Sequence, residues 1–214
     1  MQSQLGDTMA AAMTTVVQQR LAHAAEQRAK GDTHWWRQRE AALFAIGTLI
    51  SAADGDDDSG GVPQGLAAPE LLRNVLENDL TPADVPPFLR GRAFWVAAKL
   101  GGALPRGEAA AFLGPATAGL GPHNALPVRI GACRAVARLF GLVGTAESAP
   151  HLQPVLAALL QLMQTVEQDV LMLVLETTEV RAISEHCAGH ADMRSLLPRR
   201  LAARCVMTVQ NKLW

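Results

Sequence analysis

The segment HWWRQREAALFAIGTLI, from His34 to Ile50, decides the fold. At 3.6 residues per turn, Trp36, Leu43, Ile46, Gly47 and Ile50 fall along one side, while Arg37, Gln38 and Glu40 lie off it. Asp32, just upstream, has the side chain of a helix N-cap. A double tryptophan opening an Ala- and Leu-rich helix presents more apolar surface than that helix can bury alone. It calls for a partner helix on either side, and the flanking sequence supplies them.

Upstream, Asp7 to Ala29 reads as a first helix capped by Asp7, with Val16, Val17 and Leu21 among its apolar positions and Gly31 as its stop. Downstream, SAADGDDDSGGVPQG lacks apolar periodicity, so residues 54–65 are predicted to form a mobile acidic surface loop. Helices are then predicted over Pro69–Leu80, Phe88–Leu100, Glu108–Leu120 with a kink or split at Pro115, and a segment opened by Pro127. Pro150–Val166, Glu167–Ser184 and about Asp192–Lys212 complete the series. The connections are short, so sequence neighbours pair as antiparallel hairpins.

Composition agrees. Of 214 residues, 49% are hydrophobic but only 4% aromatic, and tyrosine is absent. Ala and Leu suit close helix packing, where a β-sandwich would call for more Val, Ile, Thr and Tyr. The predicted fold class is all-α, in a chain long enough to bury a sizeable core.

The second helices of successive hairpins start near His34, Pro87, Pro127 and Glu167, so the last two steps are each 40 residues. The first step is longer because it contains the acidic loop. A period of about 40 residues with two helices per unit is the spacing of HEAT and armadillo repeats. The expectation is one array over residues 1–214, an α-solenoid of about four HEAT-type hairpins, each covering its neighbour's apolar face.

The net charge of −1 lacks the basic excess of a nucleic-acid binder. The three cysteines, Cys133, Cys187 and Cys205, form no disulfide-like framework and read as small buried hydrophobes of a reducing compartment. No apolar run approaches the ~20 residues of a membrane span, and the N-terminus lacks the basic start of a signal peptide. A soluble intracellular protein is expected.

Several segments carry a resemblance. Pro127-Val128-Arg129, with Ala132 and Leu139 beyond, is similar to the P-x-V-R-x-x-A pattern of HEAT second helices, although Pro and Val are adjacent here. The segments WWRQREAALFAIGTL (Trp35–Leu49), PFLRGRAFWVAAKL (Pro87–Leu100), LPVRIGACRAV (Leu126–Val136), HLQPVLAALLQLM (His151–Met163) and VLMLVLETTEV (Val170–Val180) occur in the order and at the intervals of middle repeats of the karyopherin-β family. These are nuclear transport receptors of the importin-β superfamily, and the likeness covers roughly residues 7–190. It implies nuclear import of folded basic cargo such as histones or ribosomal proteins, release of cargo by Ran–GTP in the full-length receptor, contact with nucleoporins, and shuttling between cytoplasm and nucleus. It implies neither direct nucleic-acid nor membrane binding and no cofactor. Such receptors are several times longer, so it also implies an internal slice whose end repeats lack caps. In the family the helix arginine pairs with an aspartate in the inter-helix turn. Here the turn Gly121-Pro122-His123-Asn124 offers none to Arg129.

The second helices of such receptors line the concave face. Glu40, Glu167, Asp169, Glu176 and Glu179 are therefore the candidate cargo contacts, through charge that steers encounter with basic partners. Trp35, Trp36 and Arg129 are assigned structural roles, with core packing favoured over a surface hot spot for one of the two tryptophans. Other chemistry is weaker. His186, Cys187 and His190 have metal-ligand side chains, but Gly189 breaks the helix that would align them, and a polar turn is the preferred reading. Glu176-x-x-Glu179 lacks a histidine or nucleophile to make an acid–base pair. Arg194, Arg199, Arg200 and Arg204 read as solvated charge. There is no P-loop, GxGxxG or GxSxG, so no enzyme, metal or cofactor is expected. The alternative to a receptor segment is a HEAT-repeat scaffold unrelated to transport.

Overall fold

Proline and glycine set most of the helix boundaries. The computed structural model describes residues 2–53, 62, 63, 65–165 and 174. Helix α1 spans Gln2–Ala29 and closes at Gly31, whose φ of +79° suits a residue without a side chain. The Gly31 N–H donates to the Arg28 carbonyl and the Asp32 N–H to the Gln27 carbonyl, both at 3.0 Å, which caps the last turn. Asp32 Oδ1 then accepts the His34 N–H at 2.7 Å, and α2 runs Trp35–Ala53. Asp7, the expected cap of α1, lies inside it instead. Nothing between Gln2 and Asp7 is as hostile to a helix as proline, and a cap-type side chain alone does not stop one.

Helix α3 (Ala68–Val75) runs into a wide π-type turn, Leu76–Leu80. Helix α4 covers Pro87–Leu100 and ends in a 3₁₀ turn, Gly101–Ala103. The expected helix Glu108–Leu120 is two helices, α5 (Arg106–Ala110) and α6 (Leu113–Gly119). The break falls at Ala111–Phe112 because Pro115 removes an N–H that would bond four residues upstream, and it fits harmlessly in the first turn of α6. Helix α7 spans Leu126–Phe140, and α8 spans Thr145–Thr165. The latter starts at Thr145 rather than Pro150 and contains Pro150 and Pro154. The carbonyls left without helical donors belong to Ala146 and Pro150, which are both exposed.

Among the described residues there is no strand, and the class is all-α. The acidic loop 54–65 falls almost wholly outside them. The helices expected at Glu167–Ser184 and Asp192–Lys212 do so too, apart from buried Val174.

Helices α2, α4 and α7 lie side by side, with α4 in the middle. Across the first seam Glu40 meets Arg92 and Gly47 meets Trp95. Across the second, Gly91 meets Pro127 and Gly131, and Gly101 meets Leu139. In both seams the numbers climb together, so the three helices run in the same direction. A Cβ on Gly131 would stand 2.4 Å from the Gly91 carbonyl oxygen, so α4 and α7 touch backbone to backbone.

The core holds Leu43, Ile46 and Ile50 of α2, as the opening segment predicts, with Leu72, Leu89, Phe94, Leu100, Leu139 and Phe140. Trp35 and Trp36 are both half-buried against it. Cys133 is buried and takes part in no disulfide, while Cys187 and Cys205 lie outside the described residues.

One ion pair sits inside this packing. Arg39 of α2 places Nε 2.6 Å from Asp79 Oδ1 and Nη2 2.7 Å from Asp79 Oδ2, and Nη2 also donates to Asn74 Oδ1 at 2.6 Å. The side chains are only 6% and 0% exposed. Burial pushes the Asp79 carboxyl above its ordinary pKa, against the opposing pull of the Arg39 hydrogen bond and charge. Charges this deep help little against an apolar pair of the same shape, but losing one partner strands the other. Asp79→Ala is expected to destabilise the chain by about 3–5 kcal/mol, read as the midpoint of urea unfolding. Arg39→Met combined with Asp79→Leu is expected to cost much less than the two single variants added together. An additive double variant would show that the pair is not coupled.

Candidate partner-binding face

The candidate cargo-contact residues divide sharply. Glu167, Asp169, Glu176 and Glu179 lie outside the described residues. Glu40 is described, and it is not a free carboxylate. Its Oε1 accepts from Arg92 Nε at 2.8 Å across the α2–α4 seam, with both side chains about three-quarters buried.

That bond belongs to a larger cluster. The Arg92 guanidinium lies 4.4 Å from the centroid of the Phe44 ring and 4.9 Å from that of Trp95. The two rings stack on each other at 5.9 Å and 29°. Glu40 and Phe44 come from successive turns of α2, and Arg92 and Trp95 from successive turns of α4, so parallel helices in register bring the four together. Gly47 makes the assembly possible. A Cβ there would lie 2.0 Å from Trp95 Cζ3, so the indole rests where a side chain would otherwise stand.

Trp35 and Trp36 serve the fold rather than this cluster. Arg28 sits over the Trp35 ring at 4.4 Å and donates to the Asn78 carbonyl at 3.2 Å, tying the last turn of α1 to the π-type turn. Arg37 lies over Trp36 at 5.6 Å. Arg129 is 7% exposed. With no aspartate in the adjacent turn, it donates through Nε to the Leu120 carbonyl at 3.3 Å and through Nη1 to Thr165 Oγ1 at 3.4 Å. Burial holds its pKa below the usual arginine value. Nearer the surface, Arg73 of α3 makes a two-bonded pair with Glu108 of α5, at 2.8 and 3.2 Å. The hydrogen bonds first, and the opposite charges with them, lower the Glu108 pKa and raise that of Arg73.

Among the described residues no group of three or more His, Cys, Asp or Glu side chains is placed to hold a metal ion, and no helix is long and apolar enough to cross a membrane. His186, Cys187, His190 and the arginines from Arg194 to Arg204 lie outside those residues. No protein-family model matches the chain.

Sequence reasoning missed the Phe44–Arg92–Trp95 cluster. The signal was present in Phe88, Arg92, Trp95 and Lys99, which share one stripe of α4 by helical spacing and are too polar overall to be its core face. If Gly47 is what admits the Trp95 ring, Gly47→Ala forces the indole outward. The expected result is a red-shifted tryptophan emission and a stability loss of about 1–3 kcal/mol, with helix content unchanged. An emission spectrum matching the parent chain would contradict this geometry.

Proposed function

We propose that the chain is a partner-binding segment of stacked HEAT-type hairpins, part of a karyopherin-β nuclear transport receptor of the importin-9 kind. The observation that carries the reading is the link from Arg39 to Asp79, which spans 40 residues. The same interval separates the starts of the second helices at Pro87, Pro127 and Glu167. A buried arginine on one second helix reaching an aspartate before the next is the contact a stacked repeat needs in order to fix its neighbour's register. The parallel run of α2, α4 and α7 supports the same reading.

On this proposal the biochemical act is binding. The stack presents one face of its second helices to folded basic cargo, histone-like or ribosomal. Glu167, Asp169, Glu176 and Glu179 supply complementary charge, and Glu40 takes part only by exchanging its bond to Arg92. Ran–GTP, bound elsewhere in the longer receptor, displaces the cargo, and nucleoporin contacts carry the complex between cytoplasm and nucleus. No bond is made or broken.

The test uses labelled core-histone dimers, with the chain in its full-length context. Binding should weaken by about tenfold in a Glu176→Lys, Glu179→Lys double variant, with a shallower dependence on salt, and Ran–GTP should release the cargo. Unchanged affinity in the double variant removes the acidic-face assignment. Indifference to Ran–GTP points instead to a HEAT-type scaffold outside transport.

A further inference from the structure

The surface formed by α2, α4 and α7 has a chemistry that basic cargo does not explain. On each helix one stripe reaches solvent: Arg37 and Phe44 on α2, Phe88 on α4, and Leu126 and Arg134 on α7 are exposed, with half-buried Arg92, Trp95 and Lys99 continuing the α4 stripe. Because the helices are parallel and adjacent, the stripes form one continuous face. Its cations are Arg37, Arg92, Lys99 and Arg134. Among the described residues Glu40 is the acid at this face, and it is spent on Arg92.

The face also carries exposed apolar surface. Phe44 is 47% exposed, Phe88 64% and Leu126 45%. Burying a phenylalanine contributes about 1.5–3 kcal/mol, whereas an exposed cation–π contact gives about 0.5–1. Packing stability alone therefore gives little reason to hold these rings in water. Exposed aromatics interleaved with arginine are the residue types enriched at protein interfaces and their hot spots.

We propose that this face docks an acidic polypeptide segment carrying aromatic or large apolar side chains. Its carboxylates would pair with Arg37 and Arg134, and its apolar side chains would settle against Phe88 and beside the Phe44–Trp95 stack. The cations favour an acidic peptide over nucleic acid. The chain as a whole has a net charge of −1 and lacks the basic excess that phosphate backbones call for. An acidic segment can also use the apolar surface between the cations. The inference does not rest on the receptor reading, and it concerns a partner of opposite charge to that cargo.

The experiment titrates the full chain with a fluorescein-labelled peptide of repeated Asp-Glu-Phe-Ser units, read by anisotropy at several salt concentrations. Controls are the same peptide with serine in place of phenylalanine and an oligothymidylate of matched charge. The parent chain should bind the phenylalanine peptide. Arg37→Glu with Arg134→Glu should weaken binding about tenfold or more and flatten its salt dependence. Phe88→Ala should weaken the phenylalanine peptide but not the serine control. All three positions are exposed, so these variants keep the parent's helical circular dichroism. No binding at low salt, affinity indifferent to these variants, or tighter binding of the oligonucleotide would each overturn the proposal. So would sedimentation of the parent as a dimer that Phe88→Ala dissolves, since the face would then be covered by a second copy.

Discussion

The guanidinium of Arg39 fixes how the first hairpin meets the second. It is inserted from α2 into the turn that precedes α4, where Asp79 receives it through both oxygens and Asn74 through a third bond. Apolar packing between two Ala- and Leu-rich helices is forgiving about sliding and rotation, because many offsets bury similar areas. A charged, planar group in a dry site is not, since its bonds are satisfied at one offset only. The hydrophobic core supplies the driving force for association, and this pair selects the register. That register then sets Glu40 opposite Arg92 and Gly47 opposite Trp95, so the surface cluster follows from the buried one.

The next seam is fixed by another device. Gly91 and Gly131 bring the α4 and α7 backbones into contact, and Pro127 sits over the same point. Arg129 departs from the Arg39 pattern here. Lacking an aspartate in its turn, it reaches back to the Leu120 carbonyl and forward to Thr165, and no carboxylate among the described residues offsets its burial. The two seams thus obtain a defined geometry by different chemistry, an ion pair in one and steric contact in the other.

Much of the fold was legible because it rests on local rules. Leu43, Ile46 and Ile50 announced the buried side of α2. Gly31 and Asp32 announced the turn before it, and Pro87 and Pro127 the starts near α4 and α7. The misreadings came from residues that permit more than one outcome. Asp7 can cap a helix or ride inside one, and Pro150 can begin a helix or be carried within it where exposed carbonyls meet water. The break before Pro115 shows a proline acting on the turn upstream of itself. The candidate site was less legible. Which charge meets which depends on register between helices far apart in sequence, and nothing local marks Glu40 as bound to Arg92 or Arg39 as buried. The clue was arithmetic, since Arg39 and Asp79 stand 40 residues apart, the interval expected between successive second helices.

The unlike seams also differ in how much substitution they can absorb. Between α4 and α7 main chain presses on main chain, and no rotamer change can relieve a load placed there. Between α2 and α4 the contact at Gly47 is an indole at the end of a rotatable side chain. A side chain added at Gly131 would therefore have to move a backbone, whereas one added at Gly47 would have to move only an indole, so the second seam is the less tolerant of substitution.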